Sequence, residues 1–164
     1  MRSAFIKFVG MVYALAALGS PLTPAQAANI NVSASQCQPD IGAADPAPPM
    51  VVFGVGSVWN YGTTRATVVC NVTRSPLAST ATVGGFYVDG DNPTVNGVVQ
   101  TTQCNLVSTD YTGRDLGFAS FSNSSPKYDV FLTLPAAQLT MFAYTSLICG
   151  LPPNGVLRGV TSIQ

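Results

Sequence analysis

The chain has 164 residues, of which only 9% are charged, and its seven basic and seven acidic residues give a formal net charge of zero. A nucleic-acid-binding protein normally carries a basic face. Charges that are so few and so evenly balanced cannot form such a face, which excludes this class of protein. The chain contains no histidine, and all its acidic residues are aspartates. The lack of histidine excludes Ser-His-Asp and Cys-His catalytic arrangements.

The first 27 residues have the three-part pattern of a secretory signal peptide. Two basic residues precede an uncharged apolar run, and the small-residue site Ala25-Gln26-Ala27 follows. The run is shorter than the roughly 20 apolar residues that a membrane-spanning helix needs. Cleavage after Ala27 would leave 137 residues with no transmembrane segment. We therefore expect a secreted protein, either extracellular or periplasmic.

Four cysteines lie beyond this segment, at Cys37, Cys70, Cys104 and Cys149. An even number of cysteines in a small exported chain indicates a disulfide framework. Their spacings of 33, 34 and 45 residues differ from the clustered CxxC spacing of zinc sites. We therefore expect two disulfides, no metal and no thiolate nucleophile, and nothing in the sequence indicates a cofactor.

Residues 28–50 are predicted to form an irregular, Pro-rich segment. Within it, "NINVSAS" could form a short strand, whereas "QPDIGAADPAPP" carries four prolines. Proline lacks the amide proton that a β-ladder needs, so this second part should not hold a regular strand. Residues 51–164 are then expected to form the β-domain.

Short β segments separated by turns follow to the end of the chain. They are "MVVFGVGSVW", "ATVVCNV", "GGFYVDG", "GVVQTTQCNLVS", "LGFASFS", "KYDVFLTLP", "YTSLICGLP" and "LRGVTSIQ". The dipeptide Asn96-Gly97 predicts a hairpin turn. In "KYDVFLTLP" every second residue from Tyr128 to Leu134 is apolar, which predicts a half-buried strand.

Seven to nine short strands with turn signals between them indicate an all-β fold, a disulfide-bonded antiparallel β-sandwich. A closed barrel is the alternative, and the uneven strand lengths favour the sandwich. Helix signals are few. Only "PAAQLTMFAY", with Pro135 in a first turn, could support two turns of helix.

The cysteine strands resemble those of a loose group of small, uncharacterised secreted bacterial proteins. That group has an early Cys, a G-x-x-x-N segment, a strand ending in Cys-Pro and an Arg, a central C-x-L and a late C-x-(I/L)-P-P. The matching residues are Cys37, Gly56 with Asn60, "VVCNVTR" at 68–74, "CNL" at 104–106 and "CGLPP" at 149–153, with Asn71 where the group usually has Pro. The resemblance implies a disulfide-bonded β fold and no catalytic residue.

Four cysteines allow three pairings. We favour Cys37–Cys70, which would fix the irregular segment to the sandwich, together with Cys104–Cys149, which would join two strands. The similarity between "ATVVCNV" and "TSLICGL" makes Cys70–Cys149 the rival pairing, which would leave Cys37 to Cys104.

The candidate ligand-binding residues are Trp59, Asn60, Tyr61, Asp89 and Asp91. Aromatic rings beside amides and carboxylates are groups with which extracellular modules hold sugars, although a lone Trp in a sandwich of this size more often belongs to the core. The two aspartates, in "VDGDNP", lack the further oxygen ligands of a calcium loop, which typically has about six to eight. A hairpin turn is the favoured interpretation of that segment.

These features predict a secreted, non-enzymatic protein with a surface-binding or extracellular structural role. The aromatic residues beside amides and carboxylates suggest a carbohydrate or cell-surface ligand, whereas the composition itself identifies no partner. One alternative is self-assembly as the subunit of an extracellular fibre, for which "ANINVSAS" offers only Ile30 and Val32 as a donor strand. The other is a secreted Asp-dependent glycoside hydrolase that uses Asp110 and Asp115 as paired carboxylates.

Overall fold

The structure, a computed structural model, describes residues 29–40, 51–54, 56–74, 77 and 81–163. The predicted signal peptide and the prolines at 46–49 lie outside the described residues. Within them the chain consists of β-strands and two single-turn 3-10 helices, which confirms the all-β prediction. No helix in these ranges is long and apolar enough to cross a bilayer.

Thirteen strands occur in the described residues. They are, in chain order, β1 (Ile30–Ser33), β2 (Gln38–Pro39), β3 (Val51–Gly54), β4 (Ser57–Asn60), β5 (Ala66–Asn71), β6 (Val83–Asp91), β7 (Thr94–Val95), β8 (Val98–Val99), β9 (Thr102–Thr109), β10 (Asp115–Asn123), β11 (Lys127–Pro135), β12 (Tyr144–Leu151) and β13 (Val156–Ile163). This number exceeds the expected seven to nine because 30–39 and 94–99 each add two short strands.

The strands form two antiparallel sheets and one small hairpin. Sheet A has the order β11-β6-β13-β4-β3, with β1 also paired to β13. Sheet B has the order β10-β9-β12-β5-β2, and β7 pairs with β8 alone. The inner faces of sheets A and B pack on each other, because alternate residues of both contribute to one buried cluster.

The core consists of inward-facing residues from both layers. In β11, Tyr128, Leu132 and Leu134 are buried while Asp129 and Phe131 are exposed, which confirms the predicted alternation. The largest fully buried apolar side chains come from both sheets: Phe86, Leu106, Leu134, Leu147, Leu151 and Leu157. Burying such side chains stabilises the fold by about 1.5–3 kcal/mol each, as an upper estimate.

Two turns connect neighbouring strands of the predicted segments. Asn96 and Gly97, with φ of 50° and 78°, turn the chain between β7 and β8, which confirms the predicted hairpin. The segment "MVVFGVGSVW" forms two paired strands, β3 and β4, with Gly56 at φ 74° between them. L-amino acids rarely adopt this φ, whereas glycine does so without steric cost. Gly56 therefore allows the chain to turn and divides one apolar run into two strands.

The segment 28–50 contributes more regular structure than its composition indicates. The strand expected in "NINVSAS" is β1, which pairs with β13 in sheet A. The two-residue strand β2 pairs with β5 in sheet B. Residues 30–39 therefore belong to the sandwich and connect its two layers.

The helix expected in "PAAQLTMFAY" is only one 3-10 turn, Ala136–Gln138. Pro135 ends β11 instead of beginning a helix. The exposed residues Met141, Phe142 and Tyr144 follow, so this segment has no apolar stripe that a longer helix could bury.

The disulfides are Cys37–Cys70 and Cys104–Cys149, the favoured pairing, and all four cysteines are buried. Both lie on the inner side of sheet B. Cys104 and Cys149 are direct cross-strand partners on β9 and β12. The rival bond is not formed, because on β5 the partner of Cys70 is Leu147, two residues away from Cys149.

Candidate functional site

The outer face of sheet A brings together three of the predicted ligand-binding residues, Trp59, Asp89 and Asp91. Asp91 on β6 lies opposite Lys127 on β11 and opposite Val156 on β13. Val156 in turn lies opposite Trp59 on β4. Neighbouring strands are about 4.8 Å apart, so the backbones of Trp59 and Asp91 lie about 10 Å apart.

Lys127, Asp91, Val156 and Trp59 form the first row across the sheet. Two further rows of side chains follow along the strands, at intervals of about 7 Å. The second row contains Asp129, Asp89, Gly159 and Ser33, and the third contains Phe131, Tyr87, Thr161 and Asn31. We call these three rows, together with Tyr61 and Arg158, the three-row surface. It has aromatic rings at both ends and charged or polar groups between them.

Trp59 and Tyr61 form the aromatic pair at one end. Their ring centroids lie 5.6 Å apart and their planes are within 12° of parallel. The indole Nε1 of Trp59 donates a hydrogen bond to Ser57 Oγ at 2.9 Å, which fixes the ring. Trp59 is 38% exposed and Tyr61 is 48% exposed, so the lone Trp is a surface residue and the core position favoured for it is wrong.

Tyr87 and Phe131 form a second aromatic pair at the other end. They face each other across β6 and β11, with ring centroids 4.8 Å apart and a 40° angle between planes. Both are exposed. Neither Tyr87 nor Phe131 was among the ligand-binding residues predicted from the sequence. The sequence feature that could have identified Phe131 is its position, since it is the one aromatic residue that faces outward in the alternating strand β11.

Asn60 lies between Trp59 and Tyr61 in sequence but points into the protein and is fully buried. Its Nδ2 donates to the carbonyls of Thr64, at 2.8 Å, and Leu151, at 3.0 Å. Its Oδ1 accepts from the Gly62 amide at 2.9 Å. The side chain therefore holds the turn that carries Tyr61 and is not part of the exposed surface.

Replacing Asn60 by Asp should destabilise the fold, because the carboxylate keeps the acceptor but loses both N–H donors. Two backbone carbonyls would lose their partner, and we expect the free energy of unfolding to fall by about 2 kcal/mol. Urea denaturation would measure the change. Asn105→Asp, at an exposed position on sheet B, is the control that should change little. An unchanged Asn60→Asp midpoint would contradict the anchoring role.

Arg158 and Asp91 form an ion pair in the middle of the three-row surface. Arg158 Nε lies 2.7 Å and Nη2 lies 2.5 Å from Asp91 Oδ2. An exposed pair of this kind contributes about 0–1 kcal/mol to stability. Its main effect is to hold a guanidinium and a carboxylate at a defined place between the two aromatic pairs.

Asp89 and Asp91 lie on strand β6 and face outward, so the hairpin-turn interpretation of this segment is wrong. Asp89 faces Asp129 across β6 and β11. Burial raises the pKa of Asp89, repulsion by Asp129 and a side-chain hydrogen bond with Asp129 raise it further, and Arg158 acts in the opposite direction. The carboxyl of Asp89 therefore binds a proton more tightly than a free aspartate does.

The Asp89→Asn variant should be more stable than the wild type at neutral pH and should lose this advantage in acid. A carboxyl with a raised folded-state pKa binds its proton more tightly in the folded protein. Its favourable contribution is full below its unfolded pKa, near 3.8, and is lost as the pH rises through the folded value.

Thermal unfolding of both proteins at neutral pH and at about pH 3 would test this dependence. Asp115→Asn, at an exposed aspartate outside the three-row surface, is the control. A difference between wild type and Asp89→Asn that does not depend on pH would contradict the expectation.

Asp110, the proposed partner of Asp115 in catalysis, is occupied by its own turn. Its Oδ1 accepts hydrogen bonds from the Thr112 hydroxyl, at 2.6 Å, and from the amides of Thr112, at 2.8 Å, and Arg114, at 3.0 Å. The hydroxyl of Thr112 is the largest cause of a lowered pKa for Asp110. A general acid needs a raised pKa, the opposite of this effect.

In the part of the chain that the structure describes, no group of three or more cysteine or aspartate side chains could hold a metal ion.

No protein-family model and no curated protein sequence matches the chain. Among solved structures, the chain is similar to a Podospora anserina GH26-CBM35 β-(1,4)-mannanase, with a TM-score of 0.38 and 10% identity over 82% of this chain and 27% of that one. It is also similar to an Arthrobacter globiformis T6 isomalto-dextranase in complex with panose, with a TM-score of 0.36 and 13% identity over 77% and 22% of the two chains. The chain thus spans about a quarter of the length of each enzyme, and likeness at this level assigns it no function.

Proposed function

We propose that the protein is an exported, non-enzymatic binding protein that holds a neutral oligosaccharide on the three-row surface. The observation that carries this proposal is the presence of two exposed aromatic pairs on one sheet face, Trp59 with Tyr61 and Tyr87 with Phe131. Polar and charged side chains lie between them in register.

The chemistry of the surface suits a sugar. A pyranose ring has apolar C–H faces, which can pack on aromatic rings, and a rim of hydroxyls that need hydrogen-bond partners. The rings of Trp59 and Tyr87 would contact the faces of sugar units. Asp91 and Arg158 would accept and donate hydrogen bonds at the rim, as would Asn31 at the edge of the sheet.

The dimensions favour a chain of sugars over a single one. The first and third rows are separated by four residues of β6, about 13 Å along the strand. This distance exceeds the width of one hexose ring. A ligand that contacts both aromatic pairs must therefore span several sugar units.

The carboxyl arrangement favours binding over hydrolysis. Asp89 and Asp129 are direct cross-strand partners on one sheet face, whereas the paired carboxylates of glycosidases flank the scissile bond. Asp91 is neutralised by Arg158. The surface is an open sheet face, which does not exclude water in the way that catalysis usually requires.

Export is supported by two features. The sequence begins with a signal-peptide pattern, and the four cysteines form two disulfides, which persist mainly in oxidising compartments.

Affinity electrophoresis of the purified protein in gels that contain a neutral polysaccharide (mannan, dextran, xylan or hydroxyethylcellulose) would test the proposal. We expect retardation by at least one of them. The double variant Trp59→Ala/Tyr61→Ala should bind about tenfold or more weakly, since each ring contributes about 1 kcal/mol or more.

The matched control is Phe118→Ala, which removes an aromatic ring that is 71% exposed on sheet B. It should bind like the wild type, and thermal unfolding of each variant would verify that it is folded. Equal retardation of wild type and double variant, or no retardation by any of the polysaccharides, would overturn the proposal.

A further inference from the structure

A cavity of about 530 Å³ lies where β5 ends and β12 begins. The side chains of Arg74, Met141 and Tyr144 contribute to its lining. None of its lining residues belongs to the three-row surface, so what this cavity binds does not depend on the function proposed above.

Among the described residues, Arg74 has no counter-ion at this cavity. Its Nη2 donates to the Thr140 carbonyl at 2.5 Å. Its Nε is buried and has no hydrogen-bond partner among the described residues. The one ion pair in the described ranges joins Arg158 and Asp91, and the undescribed neighbours at 75–76 and 78–80 are Ser, Pro, Ala, Ser and Thr. No carboxylate of the described residues therefore pairs with the Arg74 guanidinium, and its undescribed sequence neighbours supply none.

A hydroxyl at the same cavity is also unsatisfied. Thr145 lines the cavity, is 5% exposed, and its Oγ1 has no partner in the described structure. Burial lowers the pKa of the Arg74 guanidinium, as expected for a charge that is partly withdrawn from water and lacks a counter-charge. The Arg74 guanidinium carries only donors, and one of them has no partner among the described residues, which favours a ligand that brings acceptor oxygens and negative charge.

We propose that this cavity binds a ligand with one carboxylate on an apolar or aromatic body, and that Arg74 holds the carboxylate. The planar guanidinium matches a carboxylate in geometry and keeps its charge at every physiological pH. Met141 and Tyr144 are 79% and 64% exposed, and they supply apolar contact area beside the charge. A dianion such as phosphate would bring a second negative charge for which the cavity has no second cation.

The probe is phenylacetate, compared with its neutral isostere phenylacetamide, in calorimetric or NMR titrations of the disulfide-bonded protein. We expect phenylacetate to bind and to shift the resonances of Ala143 and Tyr144. Replacing Arg74 by Met should weaken phenylacetate binding by about 10- to 100-fold, the effect of losing a charge-assisted hydrogen bond. Arg114→Met, in the exposed turn before β10, should leave binding unchanged.

Two checks separate loss of binding from loss of folding. Arg74→Met should unfold close to the wild-type temperature, because water can replace the lost donor at exposed Thr140 and a partly buried cation is removed. Tyr144→Ala, at an exposed position, should also weaken binding of phenylacetate while it preserves the fold. The proposal is overturned if phenylacetate does not bind at millimolar concentration, if phenylacetamide or phosphate binds as tightly, or if folded Arg74→Met keeps wild-type affinity.

Discussion

Replacing Cys104 and Cys149 together by alanine is expected to lower the free energy of unfolding by about 4 kcal/mol. The bond joins residues 45 apart in sequence, and the chain entropy that such a loop removes from the unfolded state corresponds to about 4 kcal/mol. It also connects β9 and β12, neighbouring strands in the interior of sheet B. Because typical domains are stable by only about 5–15 kcal/mol, this loss is a large fraction of the total.

Urea denaturation of wild type and Cys104→Ala/Cys149→Ala would measure the loss. The variant Cys37→Ala/Cys70→Ala provides the comparison, since its bond joins residues 33 apart and the same entropy argument gives nearly the same value. A loss below about 1 kcal/mol for the Cys104–Cys149 bond would show that the chain-entropy account does not apply to this fold.

The strands that could be predicted from sequence are those with a strong local pattern. The alternation in β11 is such a case, because a period of two depends only on which face meets the core. The short strands β1 and β2 could not be predicted with the same certainty. Asn31, for example, hydrogen-bonds to Thr161, 130 residues later, and no local pattern reports that partner.

The candidate site was predicted in part for the same reason. Trp59 and Tyr61 could be named because aromatic rings beside amides and carboxylates are typical of sugar-binding sites, although the sequence favoured a core position for Trp59. The pairing of Tyr87 with Phe131 could not, because it depends on the register of β6 and β11. Asn60 was misplaced because adjacent residues of a strand face opposite sides, and its amide satisfies buried carbonyls.

The segment Asp89-Gly90-Asp91 was misjudged because its composition is that of a turn. Glycine is frequent in turns for its backbone freedom, but Gly90 lies inside β6 and faces the core. Its cross-strand partner is Tyr128, whose hydroxyl donates a hydrogen bond to the Val156 carbonyl at 3.1 Å. The tyrosine ring reaches that carbonyl because Gly90 has no side chain in its path.

Replacing Gly90 by alanine should therefore lower the free energy of unfolding by about 3 kcal/mol or more. The added Cβ would overlap with the ring and hydroxyl of Tyr128 and with the backbone carbonyl of Val156. The ring can move only by giving up its hydrogen bond, and the carbonyl belongs to a paired strand. Gly54→Ala is the control, because its Cβ would approach only Ser57 Oγ, at 3.9 Å.

The cause can be tested by repeating the substitution in a Tyr128→Leu background, with urea denaturation of all four proteins. Without the ring, alanine at position 90 loses its overlap with Tyr128 and keeps that with the Val156 carbonyl, so we expect Gly90→Ala to cost at least about 1 kcal/mol less than in the wild type. An equal cost in both backgrounds would mean that the backbone carbonyl alone requires glycine. In that case Tyr128 would fill the space beside Gly90 but would not be the reason that glycine is required there.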